Sequence, residues 1–233
     1  MKKLIVASTS TVHGSGYLEY ILPRLKDHFK DVTELLFIPF ARPGGISYDG
    51  YTQKAKEAFQ KIGISVKGIH EFDSAKEAVK QAEGIFTGGG NTFELVNQLY
   101  KNEIVEVLKE VLEAGTPYLG TSAGSNICGV TMMNTNDMPI VYPPSFDTLG
   151  MIPFNINAHY LDPDPSSTHM GETRETRIKE YHVFNETAVL GLREGSWLEV
   201  SGESTVLKGE LTARLFKPSA EPVELESNTE VSI

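Results

Sequence analysis

One stretch, Pro117-Tyr-Leu-Gly-Thr-Ser-Ala-Gly-Ser, restricts the fold of this chain more than any other. A short apolar strand runs into Gly120-Thr121-Ser122-Ala123-Gly124, a match to G-x-S-x-G. That pattern belongs to a sharp turn between a strand and a helix, which raises one serine hydroxyl at the carboxyl edge of a sheet. Glycine is expected on both flanks because a side chain there would collide with a neighbouring strand or helix. Ala123 is small for the same reason, and its N–H lies at a helix start, where an oxyanion can be received. The pattern is short, and a plain tight turn would also satisfy it. The strand before it and the helix-compatible Asn126-Ile127-Cys128 after it favour Ser122 as a nucleophile.

A turn of this kind needs a sheet around it, and the first half of the chain supplies one. Strands are expected over Leu4–Ala7, Glu34–Phe40, Ile64–Ile69 and Gly84–Thr87. Between them the 3.6-residue period predicts an amphipathic stretch over Tyr17–Phe29, a helix over Tyr48–Ile62 and another over Ser74–Ala82 capped by Ser74. Glu103–Ala114 reads as the clearest helix, with Ile104, Val107, Leu108, Val111 and Leu112 on one face and Gly115 as its stop. Strands separated by helices imply right-handed crossovers, hence an α/β fold with a largely parallel sheet and helices on both faces. In such sheets the crevice opens at the carboxyl ends of the strands. From Thr131 onward the pattern changes to short strands, over Ile152–Asn157, Ala188–Leu192, Trp197–Val200 and Ala213–Phe216, interrupted by a helix over Glu172–Tyr181. The acidic end, Glu221–Ile233, is expected to fray. Residues 1–233 read as one domain, without repeats or a linker.

Composition narrows the function. The chain has 233 residues and a formal charge of −10, from 31 acidic and 21 basic residues, with no Lys/Arg-rich block. Binding to a phosphate backbone depends on clustered cations, so no nucleic-acid partner is expected. An acidic ligand would need a local cation. The apolar part of the N-terminus, Leu4-Ile5-Val6-Ala7, is too short for an export signal, and no window approaches a membrane span. A cytoplasmic protein with no membrane partner is expected; nothing in the pattern sets an oligomeric state. The single Cys128 excludes an internal disulfide and a cysteine metal site, and it reads as a packed thiol.

A serine becomes nucleophilic only with a base in reach and a third group to orient that base. Of six histidines, His28 in a charged helix and His182 at a helix end read as exposed, while His13, His70 and His169 lie in or beside turns. His159 follows the strand Ile152–Asn157, at the edge where Ser122 should emerge, which makes it the candidate base. Two carboxylates compete to orient it: Asp137 in the polar turn Asn134-Thr-Asn-Asp-Met-Pro139, and Glu194 after the strand Ala188–Leu192. The turn Gly88-Gly89-Gly90-Asn91-Thr92 exposes successive N–H groups that could receive an oxyanion or a small anion. It lacks both the dinucleotide spacing and a Lys-Ser/Thr pair, so it does not read as a nucleotide site. Gly171-Glu172-Thr173-Arg174-Glu175 opens a helix whose arginine could supply the missing cation.

Taken together, Ile38-Pro-Phe-Ala41, Gly88-Gly-Gly-Asn-Thr-Phe93, Ser122-Ala-Gly124, Thr135-Asn-Asp-Met-Pro-Ile-Val141, Asn157-Ala-His159 and Gly171-Glu-Thr-Arg-Glu175 resemble the peptidase E family, whose relatives include the cyanophycinases. The similarity runs from the first strand to Trp197. It implies a sheet related to glutamine amidotransferase domains and a serine dipeptidase for small peptides with N-terminal aspartate, needing neither metal nor cofactor. By position, the resemblance makes Ser122 the nucleophile and His159 its base, with Asp137 by one assignment and Glu194 by another as the third member. Glu194 is preferred, since it ends a strand. The N–H groups of Gly90 and Ala123 would line the oxyanion hole, Asn91 and Thr92 would touch substrate, and Arg174 would clamp the aspartate side chain. The segment Leu161–Met170, carrying Pro163 and Pro165, departs from the family pattern. Two other readings stay open: a cyanophycinase-like hydrolase of β-aspartyl peptides, and a non-catalytic binder holding a small anion on the Gly88–Thr92 turn.

Overall fold

The computed structural model describes residues 1–164, 166, 168 and 170–233; Pro165 and His169, both weighed above, lie outside the described residues, as does Ser167. In chain order the elements are β1 (Lys3–Ala7), α1 (Leu22–His28), β2 (Glu34–Ile38), α2 (Tyr48–Gln60), β3 (Ser65–Gly68), α3 (Ala75–Lys80), β4 (Ile85–Thr87), α4 (Thr92–Lys101), α5 (Val105–Ala114), β5 (Tyr118–Thr121), α6 (Ala123–Asn126), β6 (Asn155–Ala158), α7 (Arg174–Tyr181), β7 (Val189–Leu192), β8 (Trp197–Ser201), β9 (Ser204–Lys208), β10 (Ala213–Phe216) and β11 (Val223–Leu225).

The main sheet has the order β3-β2-β4-β5-β1-β8-β9. Its first five strands are parallel, and β8 and β9 extend it antiparallel beyond β1. Alternation along each strand divides the core between two faces. Ile5, Leu35, Phe37, Phe86 and Leu119 pack with Leu25, Phe29, Ala55 and Phe59 of α1 and α2 on one face. Leu4, Val6, Leu36, Ile38 and Ile85 turn the other way, onto Val79, Leu95, Leu108 and Leu112 of α3, α4 and α5. Each fully buried side chain of this size stabilises the fold by about 1.5–3 kcal/mol. A strand apolar on both faces can exist only between two such layers.

A second sheet, β11-β10-β7-β6, shares the core on the side of α4 and α5 through Ile156, Leu190 and Leu192. Within it β6 and β7 run parallel, with Ala158 opposite Leu192. The chain end does not fray as expected. β11 pairs antiparallel with β10, Glu230 forms a bridge with Val206, and Val231 is buried. Buried Val231 and Leu225, which packs against the core, thus outweigh the acidic composition of the tail.

Ser47, Ser74, Asn91 and Thr173 each accept a backbone N–H three residues on, capping α2, α3, α4 and α7. Gly115, in the left-handed region at φ 111°, ends α5. None of the helices is long and apolar enough to cross a membrane, among the described residues.

Candidate active site

Register decides which residues meet at the carboxyl edge. Thr87 ends β4 opposite Gly120, and Thr121 ends β5 opposite Ala7 of β1. Three connections therefore leave one edge side by side: the Gly88–Gly90 turn, the Ser122 turn and the segment beginning at Ser8. Ser122 sits between β5 and α6 at φ 53°, ψ −111°. This is a left-handed φ that non-glycine residues seldom adopt, and such strain gathers where a side chain must be aimed. The flanking glycines are sterically required. A Cβ on Gly120 would strike the Gly124 carbonyl, and one on Gly124 would strike the Thr87 carbonyl. The Gly124 carbonyl in turn accepts the Tyr118 hydroxyl at 2.7 Å. Cys128, expected as a packed thiol, is buried against the same carbonyl, and burial pushes its pKa up to about 12.

The Gly88–Gly90 turn packs directly on the serine: a Cβ built on Gly89 would lie 2.8 Å from Ser122 Cβ and 3.5 Å from its Oγ. Tyr51 Oη donates to the Gly89 carbonyl at 3.1 Å, and Asn91 N–H donates to the Ala41 carbonyl at 2.8 Å, fixing both ends of the turn. Gly90, at φ 148°, faces the Ala41 carbonyl so closely that no side chain fits. Among the described residues the N–H groups of Gly89, Gly90 and Ala123 have no hydrogen-bond acceptor in the protein. Unengaged donors beside an accessible hydroxyl are what an oxyanion site requires.

His159 and Glu194 reach this edge from the second sheet. Because β6 and β7 are parallel with Ala158 opposite Leu192, the residues that follow leave the sheet together. His159 Nδ1 lies 2.6 Å from Glu194 Oε1. The pair is half-exposed, so it adds under about 1 kcal/mol to stability, and its consequence is orientation of the ring. Arg193 clips the two strand ends, donating to Asp162 at 2.8 and 2.9 Å and to the Thr212 carbonyl at 2.9 Å. The His159 ring and the Ser122 hydroxyl are not hydrogen-bonded to each other; in hydrolases such contacts often tighten only with substrate present. Their backbones nonetheless hang from adjacent residues. Ser122 N–H donates to the Ala7 carbonyl at 3.1 Å, and His159 N–H to Ser8 Oγ at 2.9 Å.

Asp137, the other candidate for orienting His159, is engaged elsewhere. Its Oδ2 accepts from Thr92 N–H at 2.7 Å, Thr92 Oγ1 at 2.5 Å and Thr135 Oγ1 at 3.1 Å. A carboxylate at the N-terminus of α4 is held there by free N–H groups and the helix dipole. Asn91 and Thr92, expected at the substrate, have their side chains taken up by this scaffold. Asn91 caps α4 and donates to the Met138 carbonyl at 2.8 Å, and Thr92 also accepts from Asn126 Nδ2 of α6 at 3.0 Å. Arg174, at the first turn of α7, is half-buried. Its pKa is held below the ordinary value, first by burial and then by the Arg177 charge, while nearby Asp137 acts the other way. It stays a cation, and among the described residues no salt bridge engages it.

Two histidines expected at the surface are not there. His28 is half-buried, its Nε2 3.1 Å from the Tyr118 carbonyl, and burial lowers its pKa to about 4. His182 is half-buried, with Nδ1 3.1 Å from the Asn185 carbonyl. Three contributors, Ser8, Tyr51 and Arg193, escaped the sequence reading. Ser8 alone carried a signal, as the first polar residue after a strand ending at the active edge.

Comparison with known proteins gives the chain a family. Residues 4–208 match Peptidase family S51. The chain is 46% identical to "Peptidase E" of Streptomyces coelicolor, over 98% of this chain and 93% of that protein. It is 43% identical to the "Probable alpha-aspartyl dipeptidase" of Drosophila melanogaster, over 96% and 93%. A crystal structure of a peptidase from an acI-B1 Actinobacterium superposes with a TM-score of 0.76 at 16% identity, covering 100% of this chain and 97% of that one. At that identity it speaks for the fold alone.

Proposed function

The chain belongs to peptidase family S51, and from that premise we propose that it is a serine dipeptidase hydrolysing Asp-X dipeptides. In this reading Ser122 Oγ attacks the carbonyl after an N-terminal aspartate while His159 takes its proton. Glu194 holds the imidazole by Nδ1 and stabilises the cation formed on it. The oxyanion is received by the N–H groups of Gly90 and Ala123, each such donor contributing about 3 kcal/mol to the transition state. His159 then returns the proton to the leaving amine, and water hydrolyses the acyl-enzyme. Arg174 pairs with the substrate's side-chain carboxylate, giving a protein of charge −10 a local site for an acidic ligand.

The observation that carries this reading is the juxtaposition at Ala7-Ser8 of a strained serine with a histidine already paired to a carboxylate. A relative named an alpha-aspartyl dipeptidase favours the α-linkage over the β-linkage. The test is a dipeptide panel of Asp-Leu, β-Asp-Leu, Asn-Leu and Leu-Leu with wild type, Ser122→Ala and Arg174→Ala. Wild type should turn over Asp-Leu far faster than the rest, and Ser122→Ala should lose about 10⁴-fold or more in kcat. Arg174→Ala should narrow the gap between Asp-Leu and Asn-Leu. Preference for β-Asp-Leu would replace the assignment with a β-aspartyl hydrolase, and retained turnover in Ser122→Ala would end the serine mechanism.

A further inference from the structure

Ser8 follows β1 and is fully buried, so it cannot touch substrate. Its N–H and hydroxyl are nevertheless engaged, and every partner belongs to the backbone around His159 and Glu194. Ser8 Oγ donates to the Leu192 carbonyl at 2.7 Å and accepts His159 N–H at 2.9 Å. Ser8 N–H donates to the Ser196 carbonyl at 3.1 Å. Leu192 and Ser196 bracket the turn that carries Glu194, and Ser196 N–H closes that turn on the Arg193 carbonyl at 3.1 Å. The residue before Ser8 serves the nucleophile. The Ala7 carbonyl accepts Ser122 N–H at 3.1 Å and Ser125 Oγ at 2.6 Å. One dipeptide at the end of β1 thus joins the first sheet, which carries Ser122, to the second, which carries His159 and Glu194.

The backbone of His159 makes this junction consequential. Its φ is 54°, a left-handed conformation that a residue with a Cβ keeps only where its surroundings over-determine it. Here His159 N–H is held by Ser8 Oγ, and Tyr160 N–H is held by the Leu192 carbonyl at 3.1 Å. That same carbonyl accepts the Ser8 hydroxyl. Removing the hydroxyl leaves a strained residue with one of its two backbone restraints gone and a part-buried N–H unpaired.

We propose that Ser8 is a positioning residue for the hydrolysis: its buried hydroxyl locks the turn from which the His159 ring reaches towards Ser122. The proposal rests on the assignment of Ser122 and His159 made above. A rotation of the His159 backbone moves the ring nitrogen relative to the serine while leaving Arg174, Asp137 and the Gly88–Gly90 turn untouched. The effect therefore belongs on the chemical step and not on substrate affinity.

Ser8→Ala, Ser8→Cys and Ser8→Thr are compared with wild type for kcat and KM on Asp-Leu, and for the rate at which a fluorophosphonate labels Ser122. The label reports how readily the serine is deprotonated, independently of peptide recognition. In Ser8→Ala both kcat and labelling should fall about 10- to 100-fold, with KM within about threefold of wild type. Ser8→Thr, which keeps the hydroxyl, should recover most of both losses. If Ser8→Ala does not fold, Ser8→Cys fills the space with a weak hydrogen-bonding group and carries the same comparison. Wild-type kcat and labelling in a folded Ser8→Ala or Ser8→Cys would overturn the proposal, as would a folded Ser8→Thr no faster than Ser8→Ala. A wild-type enzyme that is not labelled at Ser122 would instead bring down the assignment of the site, and this proposal with it.

Discussion

At the scale of single residues, the two carboxylates that compete in the sequence for one imidazole are separated by what each is bonded to. Glu194 is joined to His159 Nδ1, whereas Asp137 Oδ2 is shared among Thr92 and Thr135 beside the start of α4. Glu194→Gln removes the charge that favours the imidazolium while keeping an oxygen for Nδ1–H. It should lower kcat on Asp-Leu by about 10²- to 10⁴-fold with little change in KM. Asp137→Asn leaves the His159 pair alone but weakens the anchor of α4 and removes the anion facing Arg174, so its effect should fall on KM for Asp-X substrates. Steady-state kinetics of the two variants decides the matter; a kcat loss larger in Asp137→Asn than in Glu194→Gln would reverse their roles. Ser122, His159 and Arg174 stand out as candidates in the sequence because each lies in a local pattern beside an element end. The choice between Asp137 and Glu194 was not, because the pairing of β6 with β7 is a non-local event that no neighbouring residue encodes. Ser8 was hidden for the same reason: its partners lie more than 150 residues away.

At the scale of elements, the turn around Ser122 depends on how closely α6 can approach β4. The Gly124 Cα faces the Thr87 carbonyl, a backbone atom that cannot swing aside, so Gly124→Ala must push α6 away from the sheet. Such overpacking costs about 1–3 kcal/mol and should also displace Ser122 from the Gly88–Gly90 turn. Gly44, whose φ lies outside the left-handed region and where an added Cβ would meet nothing within 4 Å, is the control: Gly44→Ala should stay within about 0.5 kcal/mol of wild type. Denaturant unfolding and Asp-Leu turnover measured on both variants test this, and equal stability of the two would contradict it. Strands and helices of the first half fell within a few residues of the sequence reading because local period and caps specify them. Helix α4 was overlooked although Asn91 and Glu94 supply a capping signal and Leu95, Val96 and Leu99 an apolar face. The three glycines before it drew the reading towards a loop. β11 was missed because its acidic neighbours suggest solvent, while its stability comes from pairing with β10.

At the scale of the whole molecule, acid acts on a half-buried histidine at the amino edge of the main sheet. His28 lies at the amino edge, its Nε2–H donating to the carbonyl of Tyr118, the first residue of β5. Ser122 follows the last residue of the same strand, so the ring is a strand length from the reaction. Burial lowers the His28 pKa to about 4, from an ordinary 6.5; the Arg24 charge pulls the same way and the Tyr118 bond opposes it. Since the folded value is the lower one, the unfolded chain takes up the proton first as pH falls. The stabilisation tied to the neutral ring is complete above about pH 6.5 and is lost progressively towards pH 4, amounting to at most about 3 kcal/mol. A second effect runs against it. The charge of −10 at neutral pH shrinks on acidification towards a pI near 5.1, which relieves self-repulsion. His28→Gln separates the two, because the amide can still donate to the Tyr118 carbonyl but cannot take up a proton. Between pH 7 and 4.5 the melting temperature of wild type should drop by several degrees more than that of His28→Gln. Activity on Asp-Leu at pH 7.5 should be the same in both. Parallel melting curves across that range would show that His28 is not the group through which acid loosens this fold.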